Sequence, residues 1–203
     1  MKVSSDNLQK NIHLIILSFL GLAIAVFAGY YFIAGSKFVP ENFTAARQDS
    51  ALVAKDIVSL AEESSGNLEK IAEADKKYRF NDALSMVRKE SGRVKEAQQK
   101  AVELLGKLDI MTKSAAGVTP KKARDLAIGA IGNEISLIYS LFEYDNMLSG
   151  LLQTLEYKFS GDIRYDADDV QNLIKNMNIA ANEINNLNNL FNEKMVQFDA
   201  VFK

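Results

Sequence analysis

The sequence predicts an all-α protein, with one N-terminal transmembrane helix followed by an up-down-up-down four-helix bundle. Three observations carry this. Residues Ile12 to Ala34 contain no Asp, Glu, Lys or Arg. The rest of the chain holds four long segments whose apolar residues recur every three or four positions, the spacing of one helix face. These segments are set off by Pro40 and by breaks at Asp75–Tyr78, Ser114–Thr119 and Ser160–Asp162. No run of useful length alternates as a strand would.

The apolar run comes first. At about 1.5 Å per residue it spans roughly 34 Å, enough for a hydrocarbon core of about 30 Å. Tyr30, Tyr31 and Phe32 stand at its far end, where an aromatic belt lies. Lys2 and Lys10 precede it and Lys37 follows, which favours the N-terminus in the cytoplasm. The expected organisation is a cytoplasmic tail at 1–11, a signal-anchor at 12–35 and a bundle at 40–203, outside the cytoplasmic membrane. A cleavable signal peptide is the rival, with Ala23-Ile24-Ala25 and Val26-Phe27-Ala28 as possible sites. The run is longer than the roughly 7–15 residues of a signal-peptide core. Gly21, Ala25 and Gly29 lie four apart, the spacing that lets membrane helices pack closely.

The first bundle helix is expected at about 41–75, with a thin inner stripe of Ala46, Ser50, Val53, Ile57, Leu60, Ser64 and Ile71. The second, at about 79–113, shows a coiled-coil-like seam of Phe80, Leu84, Val87, Ser91, Val94, Gln98, Ala101, Leu105 and Leu108. Thr119 is placed to cap the third, at about 120–158, with Pro120 just inside it. Asp166 is placed to cap the fourth, at about 166–203, with Asp168 and Asp169 in its positive first turn. Short turns between such helices predict antiparallel neighbours. A pair of long hairpins that completes its core by dimerising is the alternative.

This topology sets two ends. The turn at Ser114–Thr119 and the C-terminus are expected near the bilayer, where Lys113, Lys121, Lys122 and Arg124 could touch anionic headgroups. The far tip collects Tyr78, Arg79, Tyr157, Phe159, Arg164 and Tyr165, residue types that dominate binding hot spots but also serve to cover the end of a core. Charge is uneven. Residues 76–124 carry 13 Lys and Arg against 5 Asp and Glu, whereas residues 125–203 carry 5 against 12. A basic second helix between acidic neighbours points to internal complementarity that fixes helix order.

Chemistry is sparse. The chain has no cysteine and one histidine, His13, which removes thiolate sites and the histidine needed by di-iron carboxylate bundles. Gln98, Glu134 and Asn188 fall at similar heights on inner stripes. They form either a polar layer that fixes register or a small-ligand site. The fourth helix is rich in asparagine, as in NEINNLNNLFNEK, although asparagine is a poor helix former. The basic stretch lacks interleaved aromatics, and the chain is acidic overall with a net charge of −2, so no nucleic acid is expected.

The layout of one anchor and a helical bundle resembles the sensor half of chemoreceptor-type proteins, which carry a second membrane helix leading to a signalling domain. It is also broadly similar to LemA-type anchored bundles, although no Arg-rich DLIPNL-type segment is found here. Both resemblances are architectural. The expectation is a non-enzymatic interaction or scaffold protein of the cell envelope, without cofactor, metal or small-molecule substrate. Its expected partners are the lipid bilayer and a protein, or a second copy of the chain. The alternative is a ligand-sensing bundle that signals through a partner membrane protein.

Overall fold

The computed structural model describes residues 37–203. The tail and the run 12–35, with Gly21, Ala25 and Gly29, lie outside the described residues. Among those described, the protein has four long helices and no strand: α1 Glu41–Lys76, α2 Phe80–Ala115, α3 Lys121–Ser160 and α4 Ala167–Val201. One of these, α3, is long and apolar enough to cross a membrane by length and composition. It sits in the bundle instead, where Ile138, Leu151 and Leu152 are fully buried.

Local chemistry sets the helix ends. Asp166 caps α4, its carboxylate accepting from the Asp168 N–H at 2.8 Å, with Asp168 and Asp169 against the positive end of the helix dipole. α3 stops at Gly161, which takes the left-handed conformation (φ 73°) that glycine tolerates best. Tyr78, just past α1, also has a left-handed φ of 57°.

The lead-in to α1 departs from expectation. Thr119 does not cap α3; Pro120 occupies the cap position and no side chain bonds there. The backbone of Thr119 is engaged elsewhere. Phe38 N–H donates to Thr119 O at 3.0 Å, and Thr119 N–H donates to Phe38 O at 2.9 Å. Beside this bridge Pro40 lies so close to Gly117 that a Cβ on Gly117 would meet its Cγ at 2.9 Å. Val118, between Gly117 and Thr119, is fully buried.

Each helix packs along the next and runs antiparallel to it. Between α1 and α2 the register is marked by three ion pairs, Asp49–Lys107 (2.8 Å), Asp56–Lys100 (2.9 Å) and Glu63–Arg93 (3.2 Å). Each step is seven residues on both helices, so one charged rail follows the seam. Arg88–Glu156 (3.0 Å) links α2 to α3. The basic excess of α2 is thus largely spent on its neighbours. Between α3 and α4, Gly129 leaves room for the Lys194 stem, and Leu173 packs over Gly150.

Of the expected α2 seam, Val87, Val94, Ala101 and Leu108 are buried, but the buried face is broader and shifted to one flank. Ala83, Glu90, Leu104 and Met111 are buried, whereas Leu84, Ser91, Gln98 and Leu105 are half-buried. The helix packs against both α1 and α3, so its covered arc lies between two seams rather than on one.

The side between α1 and α4 is different. No Cα of α1 lies within 8 Å of one in α4, and the two helices meet through side chains at the lower end. There Arg47 forms a bidentate pair with Asp199 at 2.7 and 2.9 Å and covers the Phe198 ring. Phe198 in turn packs on Phe43 and Phe202. At the opposite end Asp75 of α1 pairs with Lys158 of α3 at 2.5 Å.

Because Arg47 ties α1 to α4 at this end, Arg47→Ala should destabilise the protein by about 1–3 kcal/mol, the scale of charge-assisted bonds. Amide hydrogen exchange should accelerate around residues 38–47 and 195–202 and stay unchanged around Asp75 and Lys158. Uniform acceleration along all four helices would refute the assignment.

Candidate functional site

Halfway along the bundle, α1, α2 and α3 bring polar groups into the core. Glu90 of α2 is 0% exposed. It is fully engaged: Ser64 and Asn67 of α1 donate to its two oxygens, the second at 2.8 Å, and Arg93 pairs with it from the next turn. Arg93 also reaches Glu63. A buried carboxylate is tolerable when bonded in this way.

Asp145 of α3 is a contrasting case. It is buried, and its Oδ2 accepts no hydrogen bond from the described residues. It lines a cavity of about 30 Å³ together with Ile57 and Ser64 of α1, Arg93 and Val94 of α2, and Tyr144 of α3. That volume suits one or two waters. Burial pushes the Asp145 carboxyl up to about 7. Burial also raises the Tyr144 hydroxyl, with added repulsion from Asp145 and Glu90.

Of the polar layer expected from sequence, Glu134 and Asn188 are buried and Gln98 is half-buried. Burial alone raises Glu134 to about 7. Glu134 does not line the cavity. Sequence reasoning passed over Glu90, Asp145 and Asp75, all buried. The signal for Asp145 was present: it lies four residues after Leu141, on the inner stripe.

The asparagines of α4 fall into a pattern. Asn178, Asn185 and Asn192 each bury an Oδ1 that accepts nothing from the described residues. They are seven residues apart, and the next step is Asp199, the partner of Arg47. The stripe therefore points at α1, where the same repeat from Arg47 gives Ala54 and Ala61. Small residues facing amides define the wide seam between α1 and α4.

At the tip, the six aromatic and arginine residues separate into two groups. Phe159 is buried and stacked on Phe80 at 6.0 Å. Tyr165 is half-buried under the Lys158 ammonium. Tyr157 is covered by the Arg164 guanidinium at 4.1 Å, and Arg164 is held by Asp162. These close the core. Tyr78 (76% exposed) and Arg79 face outward. Phe80 lies edge-on to Tyr78 at 6.1 Å, and Ile163 is 99% exposed.

At the lower end, Lys113 and Lys121 pair with Asp109 and Asp125 in their own helices. Arg124 reaches the Ala116 carbonyl at 3.4 Å. Lys122 is exposed and makes no ion pair among the described residues. The described residues hold no group of three or more acidic side chains placed to bind a metal ion.

The two unpaired acids make stability depend on pH. Their folded-state values lie above the ordinary 3.8 and 4.5, so the folded chain binds more protons than the unfolded chain between about pH 4 and pH 7. Stability is then full at the acid side and is lost as pH rises toward 7. The loss is on the order of 2 kcal/mol per acid between pH 5 and pH 7. The Tm should fall over this interval, and Asp145→Asn should flatten part of the fall. A Tm that rises from pH 5 to pH 8 would refute this. Separately, Asn185→Leu should raise the Tm by removing an unsatisfied oxygen; a lowered Tm would show that the amide is bonded in solution.

No protein family matches the chain, and no curated protein or solved structure matches it.

Proposed function

We propose that the protein is a single-pass membrane protein anchored by residues 12–35. Its N-terminus lies inside, and its helical bundle serves as a non-enzymatic interaction module in the cell envelope. The partner is a protein, and the bundle's far tip receives it.

The observation that carries this is the tip itself. Ile163 and Tyr78 stay exposed beside the rings that already cover the core. Covering the core therefore does not account for them. Tyr78 also holds a left-handed φ of 57°, a conformation that disfavours bulky residues and concentrates at functional positions. The first helix, 36 residues at about 1.5 Å each, sets the tip about 54 Å from the start of the bundle. A module that must reach beyond a membrane surface benefits from that length. The sensing alternative has less support, since the cavity beside Asp145 has room for water rather than an organic ligand.

Ser160→Cys places a single thiol at the tip of a chain that has none. Membrane-impermeant maleimide should label it in intact cells, after any outer membrane is permeabilised, and a gel should show the uncleaved mass. Labelling only after the inner membrane is lysed would overturn the envelope reading. A photo-crosslinker at Arg164 should yield a discrete adduct that Ile163→Asp abolishes while leaving the Tm within about 0.5 kcal/mol of the parent, as for an exposed site. An unchanged adduct would overturn the tip assignment.

A further inference from the structure

The lower end of the bundle is bound closely to the point where the chain arrives. The apolar run ends at Ala34, and three residues carry the chain at most about 10 Å to Lys37. Phe38 is then fixed to Thr119 by two backbone hydrogen bonds, and Pro40 is seated on Gly117. The α2–α3 turn cannot lift away without breaking both bonds and uncovering Val118. A headgroup layer is roughly 5–8 Å deep on each side of the hydrocarbon core, so a tether of at most about 10 Å keeps the turn within a few ångströms of it.

The surface presented there fits that neighbour. Lys37, Lys113, Lys121, Lys122 and Arg124 cluster against Glu41, Asp109 and Asp125. The pairs Lys113–Asp109 and Lys121–Asp125 are exposed on both sides and therefore hold their cations weakly. Phe38, 55% exposed at the same level, is an aromatic ring of the kind that favours a membrane interface. We infer that the lower end of the bundle, from Lys37–Phe38 across the α2–α3 turn to Lys121–Lys122, seats on anionic lipid headgroups and holds the bundle upright. The inference rests on the anchor at 12–35. It adds that the bundle is docked to the bilayer rather than suspended from it.

The full chain, reconstituted in vesicles, tests this with two single-cysteine spin labels. One is at exposed Ala116 in the turn and the other at Ser160 on the tip. Collision rates with a water-soluble nickel chelate are compared for phosphatidylglycerol-containing and pure phosphatidylcholine vesicles. On the anionic vesicles the Ala116 label should collide several-fold less than the Ser160 label, and Lys121→Glu with Lys122→Glu should remove the difference without lowering the Tm. Equal collision at both sites, in a chain that floats with the vesicles, overturns the docking while leaving the anchor intact. Equal shielding of Ala116 on both vesicle types overturns the anionic recognition. A chain that does not float with vesicles overturns the anchor, and the docking with it.

Discussion

Two backbone hydrogen bonds between Phe38 and Thr119 bind the start of α1 to the turn between α2 and α3. Around them, Pro40 against Gly117 and the buried Val118 make a small packed unit outside the helices. Nearby, Arg47 and Asp199 bring the end of α4 to the same level. The lower end is therefore closed by elements distant in sequence, and every helix refers its position to it. The long seam between α1 and α4 can stay wide because its lower end is clasped.

The core is not uniformly apolar, and its polar groups are treated unequally. Glu90 is held by Ser64, Asn67 and Arg93, so removing any one partner leaves a buried charge poorly served. Asp145 and Glu134 have no comparable support, and burial drives both toward the neutral form. The asparagine stripe of α4 adds further unsatisfied oxygens. These groups cost stability, but they also mark one helix pairing as different from the others. Four helices of similar length and heptad pattern could associate in several orders. The charged rail between α1 and α2 and the amide stripe on α4 favour this one.

The two ends of the bundle also differ in chemistry. The lower end is basic and close to the expected membrane anchor. The upper end is aromatic and apolar, with Arg164 and Lys158 folded over rings. Between them, ion pairs line the seam of α1 and α2.

The all-helical class and the four long helices were legible in the sequence, because a stripe that recurs every three or four residues and a Pro or Gly break act locally. The charge imbalance between α2 and its neighbours was legible for the same reason, since composition survives any packing. The burial of Glu134 could be read from its stripe. What only tertiary structure decided was which flank of a stripe goes inward. α2 is covered on two sides, which turned its buried arc onto Glu90 and left Gln98 half-exposed. Thr119 looked like a helix cap until a segment some eighty residues earlier took its backbone. The burial of Phe159 was likewise decided at the tip, by its stacking on Phe80. Periodicity specifies that a helix has an inner face, but the direction of that face depends on neighbours that the local sequence does not contain.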